Sequence, residues 1–107
     1  MNQVVLRQIS DKDGTRYLSA KLAEGGDIVI EGQDLGDGVQ RIFGVREYEW
    51  VWTIRSANVS KVRDLLGGQE DVIAAIADRF SGSNAASLWT FLEDNSVPME
   101  VWSRKGD

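Results

Sequence analysis

"EYEWVWTI" occupies residues 47–54, and its alternation decides how the chain is read. Tyr48, Trp50, Trp52 and Ile54 fall on one side of an extended strand, and Glu47, Glu49, Val51 and Thr53 on the other. Three large rings and an isoleucine on one face can fill a core or form a platform for a ligand. An aromatic ring buries about 150–250 Å², so three exposed rings would make an unusually large patch on a small monomer. The core reading is therefore preferred. Trp50 and Trp52 each carry an indole N–H that needs a partner if buried, so one of them is expected at the sheet margin.

Upstream of this stripe the chain reads as strands. Val4 and Leu6 alternate with Val5 and Arg7, and "DKDG" at 11–14 is a turn. Leu18, Ala20 and Leu22 share one face of a strand over 17–23, "EGG" at 24–26 turns the chain, and "DIVIE" at 27–31 completes a hairpin. "GQDLGDG" at 32–38 reads as a loop. A short helical turn follows, begun by Asp37, with Val39, Ile42 and Phe43 at i, i+3 and i+4 and Gly44 as its stop. The opening stripe then gives a strand over roughly 46–55, expected to be the longest.

Downstream the period changes to that of helices. Ser56 or Asn58 can cap a helix whose apolar face is Val59, Val62, Leu65 and Leu66, ended by Gly67 and Gly68. Glu70 and Asp71 are placed in the first turn of the next helix, with Val72, Ile73, Ile76, Ala77 and Phe80 as its face. "SGSN" at 81–84 re-caps the chain for Leu88, Trp89, Phe91 and Leu92. Pro98 cannot continue a helix and opens a last strand, "MEVWSR" at 99–104. The expected order is β-β-β-(short α)-β-α-α-α-β: a single α+β domain over 1–107, with an antiparallel sheet of about five strands and three helices packed on one face.

Composition narrows the chemistry. The 107 residues suffice for one domain with its own core. Neither cysteine nor histidine occurs. Thiol and imidazole nucleophile systems and Cys/His zinc sites are thereby excluded. No cofactor or metal is expected. The net charge of −5 disfavours nucleic acid, whose binding rests on Lys and Arg at phosphates. No apolar run reaches membrane-span length, no secretory apolar run opens the chain, and the expected location is cytoplasmic.

Two candidate sites stand out. Glu24, Asp27, Glu31, Asp34 and Asp37 lie in a stretch without Lys or Arg, and their five charges equal the whole net charge. They read as a solvated, turn-forming edge or, functionally, as a docking surface for a basic protein partner. In the last strand Trp102 stands between Glu100 and Arg104 on the face opposite Met99 and Val101. Trp102 and Arg104 read as a cross-strand contact or as an interface anchor. "DKDG" resembles the start of a calcium loop, but Thr15 and Arg16 stand where another oxygen ligand and the glycine belong. "GQDLGDG" lacks the Lys-Ser/Thr ending of a phosphate loop. Glu47 and Glu49 are about 7 Å apart by strand geometry, which without a cleft is no sign of catalysis.

"VIEGQDLG" at 29–36, "EYEW" at 47–50 and "PMEVWSRKGD" at 98–107 together resemble a family of small bacterial, mainly actinobacterial, uncharacterised proteins. The resemblance implies a short single-domain cytoplasmic protein and transfers no functional residue. The first functional expectation is an acidic, non-enzymatic protein-interaction domain, of the kind that masks a basic partner as immunity or inhibitor proteins do. The alternative is a small-molecule-binding domain with a tryptophan wall, and an enzyme working through carboxylates ranks third.

Overall fold

Alternating apolar positions joined by tight turns fold here as one antiparallel meander. A computed structural model describes residues 1–106, with the side chain of Phe43 also outside the described set. The strands are β1 (Gln3–Asp11), β2 (Gly14–Leu22), β3 (Ile28–Leu35), β4 (Glu47–Ile54) and β5 (Glu100–Gly106). They neighbour one another in sequence order, so β1 and β5 are the two edges. The helices are α1 (Asp37–Phe43), α2 (Val59–Leu65), α3 (Val72–Phe80) and α4 (Leu88–Asp94), with 3-10 segments at Ser56–Asn58 and Gly82–Ser87. The architecture is α+β.

Register places Ile28 opposite Ile54, and Ala20, Ile30 and Trp52 in one row across β2, β3 and β4. Leu6, Leu18, Ala20, Ile28, Ile30 and Ile54 form the floor of the core. Val59 and Val62 from α2, Val72, Ile73, Ile76 and Phe80 from α3, and Leu88 and Leu92 from α4 form its roof. Asp71 caps α3: the Ala74 N–H donates to its Oδ1 at 3.0 Å. It thus precedes the helix and does not lie in its first turn, as the sequence had suggested. Gly44 ends α1 with φ 77°, a left-handed conformation that glycine adopts without a Cβ penalty.

Several expectations are corrected. The third strand runs on to Leu35 instead of dissolving into a loop at Gly32, because Gly32–Leu35 complete ladders with both β2 and β4. β1 and β2, nine residues each, exceed the eight of β4. The last strand starts at Glu100 and reaches Gly106. In α1, Val39 is buried but Ile42 is 76% exposed, and the Phe43 side chain lies outside the described residues.

The stripe on β4 joins the core only in part. Ile54 is fully buried, Trp50 and Trp52 are half-buried and pack against the core cluster, and Tyr48 is half-buried. The reason is length. Strands of eight or nine residues run about 26–30 Å, whereas the nine residues of α3 span only about 13 Å. Helices α2 to α4 therefore roof the part of the sheet that holds Leu6, Leu18, Ala20, Ile28, Ile30 and Ile54, α1 contacts β2, β3 and β4, and Tyr48, Trp50 and Trp52 lie at the margin of the roofed part. No helix among the described residues is long and apolar enough to cross a membrane.

Candidate functional site

The margin of the helix-covered face carries a continuous run of four half-buried rings. Tyr48 and Trp50 have centroids 5.3 Å apart, Trp50 and Trp52 6.3 Å, and Trp52 and Trp89 4.8 Å, all at tilted angles. The first three come from alternate positions of β4. Trp89 comes from α4, whose Leu88 and Leu92 point into the core. The next position along the helix therefore faces the core margin, where Trp52 stands. With Asp34 and Val101 these rings line a groove of about 330 Å³.

Gly32 explains how Trp50 lies. It pairs with Trp50 across β3 and β4, and a Cβ on Gly32 would fall within the indole, against Cε2, Cζ2 and Nε1. The ring thus covers the glycine backbone, a common reason for glycine within a strand.

Polar groups around this end of the sheet are unsatisfied. Trp50 Nε1, Asp34 Oδ1 and Arg7 Nε are buried without a hydrogen-bond partner. Such groups are costly in a fold and are unusual unless a water, ion or ligand completes them. Burial pushes the Asp34 carboxyl above its ordinary value, outweighing the opposing pull of the Arg7 and Arg16 guanidiniums. Asp34 is in register with Tyr48 and with Arg16, so it stands at the groove's polar end.

The acidic segment does not form one surface. Asp34 shares the parity of Ile28 and Ile30 and faces the helix side, while Glu31 faces away. Asp27 binds Arg55 Nη1 at 3.0 Å and accepts the Ser56 N–H at 2.7 Å. Glu31 pairs with Lys21 at 3.1 Å, and Asp37 with Arg46 at 2.8 Å.

Trp102 is 51% exposed on the outer face, beside a depression of about 250 Å³ that also touches Tyr17, Glu31, Gln33, Glu49 and Val51. Two candidate residues, Trp102 and Glu31, are thereby brought together. Arg104, two positions along, donates to Glu47 at 2.8 Å and Glu49 at 3.1 Å. The hydrogen bond between these two carboxyls raises Glu47 and lowers Glu49, with Arg104 drawing both downward. Val101, on the helix-side face in register with Trp52, is 57% exposed and lies at the rim of the groove.

Among the described residues no group of three or more acidic side chains is arranged to hold a metal ion. The sequence reading named the β4 rings and Asp34 but assigned them to a core and to an acidic edge. It missed Trp89 as their partner. The available signal was Gly32: a glycine within a strand, two residues from Ile30 on one side and Asp34 on the other, marks a close approach by another group. Comparison with family models, with curated proteins and with solved structures gave no match to this chain.

Proposed function

We propose that the chain is a non-catalytic binding domain whose recognition element is the groove of Tyr48, Trp50, Trp52 and Trp89. Its ligand is a small, flat, largely apolar molecule carrying an N–H or O–H donor for Asp34. The observation that supports this reading is the run of four neighbouring, half-buried rings at the margin of the core. Ligand sites are characteristically concave, mostly apolar, and furnished with a few placed polar groups. The rings supply stacking surface, and the Asp34 carboxylate supplies an acceptor whose burial makes a matching donor valuable.

A titration of planar N–H heterocycles by ligand-observed NMR tests the reading. Binding is expected to quench tryptophan fluorescence, to be lost in Trp52→Ala, and to weaken in Asp34→Asn. Fragments that bind Trp52→Ala and Asp34→Asn as well as the parent would sink it.

A basic protein docking on the 24–37 segment with Trp102 and Arg104 is the second reading. The exposed Trp102 on a bare sheet face favours it. The ion pairs already held by Asp27, Glu31, Asp37 and Arg104 compete with it.

A further inference from the structure

The two edges of the sheet are built differently. β1 carries an irregularity between Val5 and Arg7, and α3 and the Gly82–Ser87 segment pack beside it. Bulges and covering elements are the usual means of protecting an edge. β5 has neither. It pairs in unbroken register with β4 from Glu100 to Gly106, and its residues through Lys105 are exposed. As the last strand of the sheet, β5 has a strand neighbour on one side only among the described residues. Val101 and Trp102, on opposite faces of the same edge, are both more than half exposed.

The sequence along this edge is self-complementary. Glu100, Val101, Trp102, Ser103 and Arg104 read as acid, apolar, ring, polar, base. Place two antiparallel copies with Trp102 opposite Trp102. Glu100 of each copy then stands opposite Arg104 of the other, on one face, and Val101 stands opposite Ser103 on the other face. Directly opposed side chains in such a pair have Cβ atoms about 4.5–5.5 Å apart, close enough for both contacts. Moving the register by two residues sets Glu100 against Gly106 and loses both charge matches.

We infer that β5 is a self-pairing edge, through which two copies of this chain join antiparallel about a two-fold axis at Trp102. The pairing continues the five-stranded sheet into one of ten strands with a closed, isologous interface. The intramolecular pairs need not break. Arg55 binds Glu100 within 2.6–3.0 Å, and Arg104 binds Glu47 and Glu49. Across the axis these groups form a line of alternating charge: Arg55, Glu100, the second copy's Arg104, and its Glu47 and Glu49. The same charges discourage pairing with unrelated strands, since a wrong register or partner sets like charges together. A single strand pair is small beside a standard interface, so the dimer belongs to the weaker, concentration-dependent class. The inference is independent of the groove reading, because it rests on the edge and not on the rings of β4.

Sedimentation equilibrium of Glu100→Arg, Arg104→Glu and their equimolar mixture tests it. The parent chain is expected to reach twice the chain mass at high micromolar concentration. Each single variant sets like charges opposite one another and shifts to monomer. The mixture regains the dimer. Between unlike copies the two introduced side chains face each other with opposite charge, and the unchanged Arg104 of one copy faces the unchanged Glu100 of the other. Since the chain has no cysteine, Trp102→Cys gives a second readout that does not depend on charge. Mild oxidation should cross-link Trp102→Cys into a dimer and leave Ser103→Cys uncross-linked. A monomeric parent at all concentrations, single variants as dimeric as the parent, a mixture that stays monomeric while both variants melt cooperatively, or cross-linking of Ser103→Cys in preference to Trp102→Cys would overturn it.

Discussion

The Trp50 indole lies where a side chain on Gly32 would have to be, so the two residues specify one another across β3 and β4. No positive φ is involved at Gly32; the requirement is space alone. Gly32→Ala should therefore displace the ring and cost about 1–3 kcal/mol, the usual range for overpacking. In a Trp50→Leu background the same change should be close to neutral. Denaturant melts of the four proteins in a double-mutant cycle measure the coupling. Equal costs in both backgrounds would show that the ring does not depend on the glycine.

The division between covered core and open groove predicts a ranking. Ile54 is fully buried, and Ile54→Ala should cost about 2–5 kcal/mol. Trp89 stands at the groove margin, and Trp89→Ala should destabilise less despite removing far more atoms. Urea unfolding of both variants settles the order.

Asp34 links stability to pH. Its folded-state carboxyl is raised by burial, so the folded chain holds the proton more tightly than the unfolded one. Its contribution to stability then falls as pH rises through the ordinary carboxylate range to the raised value. Asp34→Asn removes this dependence. The variant should gain on the parent as pH rises, with the gain levelling off above the raised value. Melts of both proteins across the acid range give the difference curve, and a flat curve would mean that Asp34 is solvated in the fold.

Arg104 holds two neighbouring carboxylates, Glu47 and Glu49, and draws both downward. Arg104→Gln should leave them repelling one another and raise their folded-state values. Raised carboxyls cost stability once ionised, so the deficit should be larger at neutral pH than in acid, where the pair takes up a proton. Thermal melts in dilute solution at two pH values read this directly.

Much of this fold was legible locally. The alternation at 17–22, 28–30 and 48–54 identified three strands and the face each buries, and the i, i+3, i+4 spacing of Val59, Val62, Val72, Ile73, Ile76 and Phe80 identified two helices. The run 32–35 was not legible as strand, because Gly, Gln and Asp are weak strand formers and it is pairing on both sides that holds them extended. Asp34 was visible as a charge, but its side of the sheet follows from parity only once the strand is known to continue past Gly32.

By itself, the sequence determined which residues alternate, which follow a helical period, where the chain turns, and therefore an antiparallel α+β fold. Those properties depend on neighbours a few positions apart. Only the tertiary structure decided that helices about half as long as the strands leave Tyr48, Trp50 and Trp52 half-buried at the core margin, that Trp89 joins them, and that β5 ends as an edge strand. Coverage and edge position depend on how elements far apart in the chain dock and on their relative lengths, and no periodicity within a single element records either.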